Sequence, residues 1–580
     1  MSNNTVSELI GARATRLHSE RVIDGGSGAV PTSSGVVTVS GGIQKLFSPA
    51  LSLTDGQVAL LVSTVLFVIG AWPLALTEVP PYQDLPNHLA AATVIQNPEK
   101  YPEFVFNGFL KTNTALFAWL FLAGKVVGVK MAARLFALLV LAGNALALPR
   151  LVLQLTGSRR KMVIASLFAW PMVHNWFVSM GMLDFAMGVP LSLALLLVLD
   201  RQRTKPTPLG AVMVTALGIV TWYAHVFPLL VVQMLALIHV ASRTTWKERI
   251  TQARRLLVPL APVALVVLVS IVQHLRDTIG PMTAFSHQVK WIAPWELVYN
   301  LWAEWCWGFT KLSLMTVVPA VLLGVFGVLR RKESPAFFGP WALAALLVLY
   351  AFTPYVVTNW YHVNSRFIPF IFFALLLRVP DRLPKQLLTF LGVCGIAYSA
   401  AMGADFVRLD KDRQRFVAGM HAVPEGARLL PLVFNHKGAS DNTRSLLHAW
   451  GFYVTEKHTS APLLFAHSRS FPVMYSTPPP IRFNHLVLES FATNMAKSDA
   501  ICQSIAPIIA NDCQGEYRAR WSEFWRDATP LYDHVLLWQP TPEALDQIPS
   551  DYKTAFRTDD LVVLQRSDYT QRSLSADAQR

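Results

Sequence analysis

Between Gln57 and Gly403 the chain returns again and again to apolar runs of roughly 15–20 residues that carry almost no charge. Nothing else in the sequence restricts the fold as much. A helix needs about 20 apolar residues to cross the hydrocarbon core of a bilayer, because each backbone N–H and C=O must find its partner inside the segment. Core helices of a soluble protein would carry a polar stripe, and most of these runs carry none. The expected crossings are 57–76, 131–149, 161–178, 181–199, 207–223, 225–241, 256–273, 312–329, 338–355, 365–379 and 386–403. The fold class that follows is a polytopic α-helical membrane protein with about eleven transmembrane helices.

Composition agrees. Of 580 residues, 53% are apolar and 15% charged, against about 25% charged in a typical soluble domain. The formal net charge of +14 would suggest nucleic acid in a soluble protein. Here the cations cluster in short loops, and no nucleic-acid-binding motif accompanies them, so that partner is excluded.

Those loops set the topology. Arg150 with Arg159, Arg160 and Lys161 form one cluster, and Arg201, Arg203 and Lys205 a second. Arg243, Lys247, Arg249, Arg254 and Arg255 follow, then Arg330, Arg331 and Lys332, and finally Arg378, Arg382 and Lys385. They fall on alternate connections, which places them all in the cytoplasm. The apolar segment 112–128 would break this alternation if it crossed, so it is expected to lie at the outer face or to re-enter without crossing. With eleven crossings the N-terminus is inside and the C-terminus outside, in a plasma (inner) membrane. Residues 1–50, rich in Ser, Gly, Val and Thr and without a cleavable signal, read as a disordered cytoplasmic leader. The domain division is then 1–50, a transmembrane domain 51–403 with outer loops 77–130 and 274–311, and a soluble, extracytoplasmic (periplasmic or extracellular) domain 404–580. Trp291, Trp295, Trp302, Trp305 and Trp307 mark an interfacial helix or a cover in the second loop.

The tail reads as a small α/β domain. Ala427–Phe434, His534–Trp538 and Leu561–Gln565 have the apolar continuity of buried strands, and Thr541–Gln547 has an N-cap Thr followed by Pro and Glu. Cys502 and Cys513 lie close together with no zinc-ligand partner at useful spacing, so a disulfide is expected if the tail faces an oxidising compartment.

Chemistry concentrates at the outer ends of the crossings. After the first comes PPYQDLPNHLAAA, 80–92, with Tyr82, then Asp84 where a helix begins, then His88 one turn on along the same face. Asp84 suits an N-cap, a general base, or, with His88, a divalent-cation site for Mg or Mn. Asp184 lies with His174 and Asn175 about a tight turn near Gly181, and His225 opens a crossing; each either caps and packs or lines a wet cavity. Arg366, with His362 four residues earlier, either snorkels at a helix end or binds an anion.

The stretches YQDLPNHLA (82–90), HNWFVSMGMLDFAMGVPL (174–191), WYAHVF (222–227) and NSRFIPF (364–370), in this order, give the chain an architecture that resembles the GT-C glycosyltransferases, a superfamily that includes protein O-mannosyltransferases and lipid A aminoarabinose transferases. The resemblance implies transfer of a sugar from a polyprenyl-phosphate carrier to an envelope glycan, lipid or protein on the outer face. It implies Asp84 as base or metal-site member and basic residues holding the carrier phosphate. Unlike the O-mannosyltransferases, this loop has no Asp-Glu pair; His88 stands in the next turn. A transporter or flippase subunit is the alternative from another class, although no half-to-half repeat supports it. A non-catalytic scaffold for envelope assembly is the third reading.

Overall fold

A computed structural model describes residues 53–277, 289–304, 310–330, 335–357, 360–440, 443–466, 471–480, 483, 488 and 517–569. Cys306, Cys502, Cys513, Trp305, Trp307 and the leader lie outside the described residues.

The helices of the first half are α1 (Asp55–Ala71), α2 (Leu85–Gln96), α3 (Ala115–Val127), α4 (Val129–Thr156), α5 (Arg159–Val173), α6 (Trp176–Ser179) and α7 (Leu183–Thr204). Then come α8 (Pro208–Ala224), α9 (Val226–Ala241), α10 (Trp246–Asp277), α11 (Pro294–Ala303), α12 (Thr310–Leu329), α13 (Pro340–Phe352), α14 (Ile368–Leu376) and α15 (Lys385–Phe416). The tail adds α16 (Gly451–Lys457), α17 (Tyr517–Ala528) and α18 (Pro542–Leu545). Side chains set the starts: Thr54 and Gln57 form a capping box at α1, Thr207 caps α8 ahead of Pro208, and Thr541 caps α18.

Among the described residues, seven stretches are long and apolar enough to cross a membrane, including α1, α4, α7, α10, α12 and α15. Eleven segments are reached only by adding the shorter apolar helices α8, α9, α13 and α14, so that count stays a proposal. Apolar side chains such as Leu61, Leu265 and Ile396 on the long helices are exposed, as a bilayer solvent requires.

The two ends of the bundle differ in chemistry. At one end Arg159 pairs with Asp55 at 2.6 Å, Gln154 and Arg203 both bind Asp200, and Arg255 donates to the carbonyl of Arg203. Buried Arg378 donates there to the carbonyls of Ala374 and Phe338. The basic loops thus share one end. Helix α3 begins and finishes at the other. Asp184 accepts from the amide of Leu116 at its start (2.8 Å), and Lys130, just past its end, pairs with Glu78 and Glu456 (2.8 and 2.5 Å). At about 1.5 Å per residue this helix is roughly 20 Å long, short of the roughly 30 Å core.

The strands are β1 (Phe104–Phe106), β2 (Val289–Lys290), β3 (Val356–Val357), β4 (Leu429–Val433), β5 (Val473–Tyr475), β6 (His534–Trp538), β7 (Tyr552–Arg557) and β8 (Leu561–Arg566). A four-stranded sheet in the order β4-β6-β8-β7 holds the tail together, with β4 parallel to β6 and the rest antiparallel. Leu429 faces His534, and His534 faces Gln565. The tail is stitched to the loop 77–130, because β5 pairs antiparallel with β1, Phe104 opposite Tyr475.

Candidate functional site

The loop before α2 is gripped from two sides. On the first, the amides of Gln83 and Asp84 donate to the carbonyls of Ser179 and Met180 at 3.1 and 3.0 Å. This close approach requires Gly181, which sits at φ +82 and whose Cβ, if it had one, would lie 2.8 Å from the Asp84 nitrogen. On the second side lies the segment that leads into α16. The Arg444 amide donates to Gln83 Oε1 at 2.9 Å, and His448 Nε2 stands 3.7 Å from Asp84 Oδ1. Gly451 packs so tightly that a Cβ there would come within 2.2 Å of the Pro86 carbonyl oxygen. Asn87 completes the seam, donating to the Leu463 carbonyl and accepting from the Phe465 amide.

Asp84 occupies the N-cap position of α2 but makes no capping hydrogen bond. Its carboxylate turns to Gln83 Nε2 (3.4 Å) and towards His448. Burial pushes the carboxyl up to about 7, against the hydrogen bond from Gln83 and the charge of Arg444. His88 packs edge-on to Phe117, and His448 edge-on to Phe465. Burial lowers these imidazoles to about 4 and about 3, so both are neutral at pH 7. A carboxyl poised near neutrality beside neutral imidazoles can accept a proton.

A second group surrounds Arg366. Its guanidinium is buried, 7% exposed, and makes one polar contact, Nη1 to His225 Nε2 at 3.1 Å. The rings of Phe185 and Trp360 lie 5.6 and 5.2 Å from its Cζ. Among the described residues no carboxylate pairs with it, and its Nε has no partner. Beside this group His362 binds Glu304 (2.8 Å) and the Tyr355 hydroxyl (2.7 Å), and packs edge-on to Trp176. His362 holds φ +58, an uncommon conformation for a side-chain-bearing residue.

The 175–182 turn joins the groups. Its end abuts Asp84, while Trp176 touches His362 and Phe177 touches Phe185 (4.7 Å between rings in each case). Of the residues picked out from sequence, Asp84 and His88 come together in one group, and Arg366, His225 and His362 in the other. Asp184 is committed to the start of α3, Asn175 caps α6, and His174 bonds the Gly70 carbonyl and packs on Tyr82. Tyr82 is buried with its hydroxyl unpartnered among the described residues. Sequence reading missed Glu304, Tyr355, Arg444 and His448, because no local pattern announces residues that reach a site across long separations.

Among solved structures, the chain is similar to ArnT from Cupriavidus metallidurans, both in the apo state and bound to undecaprenyl phosphate. Each matches with a TM-score of 0.50 and 11% identity, over 87% of this chain and 97% of that one. ArnT is an aminoarabinose transferase of the GT-C superfamily. This chain has the GT-C fold. The mycobacterial arabinofuranosyltransferase AftD also matches, at 13% identity over 88% of this chain and 42% of that one, but its TM-score of 0.44 carries no argument. No family model matches the sequence, and no curated protein does.

A Mg or Mn ion would ask for several oxygen ligands. Asp84 is the one carboxylate among the described residues next to His88 and His448, since Asp184 is taken up by the amides of α3. No group of three or more His, Cys, Asp or Glu is gathered in metal-holding geometry among the described residues. The donor set fits such an ion poorly.

Proposed function

We propose that the chain is a multi-pass membrane glycosyltransferase that takes a sugar from a polyprenyl-phosphate carrier on the outer face of the membrane. The observation that carries this reading is Arg366. A buried guanidinium that no carboxylate among the described residues pairs with is costly unless an anion completes it. In the GT-C fold, with ArnT solved holding undecaprenyl phosphate, the fitting anion is the carrier phosphate, which a guanidinium fork matches. The gathering of the basic loops at the other end supports an outward-facing site, with the N-terminus in the cytoplasm and the tail outside.

In the reaction, an acceptor hydroxyl attacks the anomeric carbon. The bond from that carbon to the phosphate oxygen breaks, and the carrier phosphate leaves with the electron pair. The hydroxyl proton passes to Asp84. Arg366, with His225 beside it, stabilises the charge that grows on the phosphate. The Glu304–Tyr355–His362 group, with Trp176 packed on His362, contacts the sugar beside Arg366.

Because Asp84 must be ionised to accept a proton, transfer should rise with pH through about 7. Asp84→Asn keeps the shape, inserts normally and loses roughly 10²–10⁴ of the rate. Sugar transfer in membranes from cells expressing each form is the test; undiminished transfer by Asp84→Asn removes Asp84 as the base.

A further inference from the structure

Arg444 is placed with care and then left open. Its backbone is pinned on Gln83, His448 one turn on lies against Asp84, and Gly451 locks against Pro86, so the segment cannot shift far from the Asp84 loop. Thr443 and Ser445 on either side are buried, while Arg444 is exposed. Four other arginines of α15 and the tail each grip a carboxylate: Arg408 holds Asp405, Arg413 holds Asp410 and Glu78, Arg415 holds Asp412 and Asp560, and Arg428 holds Asp533. Among the described residues, no hydrogen bond or ion pair engages the Arg444 side chain. Its charge nonetheless acts on Asp84, His436 and His448, so the guanidinium lies within electrostatic reach of the Asp84 group.

We propose that Arg444 recognises a negatively charged group, phosphate or carboxylate, that the acceptor carries near its reacting hydroxyl. This rests on the transferase reading given above. Arg366 already meets the carrier phosphate at the buried end of the site. Arg444 is on the water-exposed side, next to the base, where the acceptor must arrive. A guanidinium held there selects an acceptor with an oxyanion in reach and orients its hydroxyl towards Asp84. The cation comes from the tail, so the tail takes part in acceptor choice.

The test is binding to the purified full-length protein in detergent, with two probes. Glucose 6-phosphate, compared with glucose, stands for the anionic acceptor, and undecaprenyl phosphate for the carrier. The wild type should bind glucose 6-phosphate in preference to glucose. Arg444→Gln should weaken that binding roughly tenfold or more and abolish the preference, and Arg444→Lys should keep part of it. Undecaprenyl phosphate binding should be unchanged in Arg444→Gln and weakened in Arg366→Gln. Equal binding of the two sugars by the wild type, or an unaltered preference in Arg444→Gln, overturns the proposal. Loss of undecaprenyl phosphate binding in Arg444→Gln assigns the guanidinium to the carrier and overturns it as well. Full carrier binding by Arg366→Gln would instead break the underlying transferase reading. Thermal melting of each variant confirms folding, which an exposed side chain should not disturb.

Discussion

Two buried arginines stand at opposite ends of one short helical segment, and they are satisfied in opposite ways. Arg378, at the basic end, is 4% exposed and donates to the carbonyls of Ala374 and Phe338. It closes the end of α14 and ties it to the start of α13, and its donors go to backbone groups that a helix end leaves open. Arg366, at the other end, is buried almost as fully, yet touches one imidazole and two aromatic faces. Burial alone therefore says little about role. What separates a structural cation from a binding one is whether the protein itself supplies the acceptors.

That contrast can be broken by experiment. Arg366→Gln should weaken undecaprenyl phosphate binding by roughly tenfold or more, since a charge-assisted pair is lost. Its thermal stability should be unchanged or higher, because an uncompensated buried charge has been removed. Arg378→Gln should do the reverse. Carrier binding should persist, and stability should drop by about 1–3 kcal/mol as backbone acceptors lose their donor. If both variants lose stability equally and neither loses binding, the two arginines do not differ in the way described.

A smaller effect concerns Asp84. Its raised carboxyl means that between pH 3.8 and about 7 the folded protein holds a proton the unfolded chain has released. This carboxyl therefore contributes less stability as pH rises across that window, and Asp84→Asn should remove the slope. The smallest effect belongs to Asp184. Asp184→Ala should cost about 1 kcal/mol by uncapping α3, while Asp184→Asn should be nearly neutral. A loss of transfer from Asp184→Asn with stability intact would move this residue from the helix end to the reaction.

Much of this was legible in the sequence where the signal is local. Apolar runs located the long helices, alternate basic loops located the basic end, and β4, β6 and β8 lie where the apolar runs of the tail placed them. Asp84 and Arg366 stood out because charge at a helix end near a membrane is expensive. The role of Asp184 was not legible, since its partner amide at Leu116 lies 68 residues away. Nor were Arg444 and His448, which reach Asp84 only because Gly451 and Asn87 let the tail close on α2. Glu304 meets Tyr355 across 51 residues and His362 across 58, and nothing in local spacing encodes that.

The account depends most on where the carrier phosphate sits. A structure of the full-length protein with undecaprenyl phosphate bound measures it directly. The account predicts the phosphate within hydrogen-bond reach of the Arg366 guanidinium and His225, with the prenyl chain running into the bilayer and Asp84 facing the same space. A phosphate resting at the Arg378 end, or at the outer end but out of reach of Arg366, would contradict it.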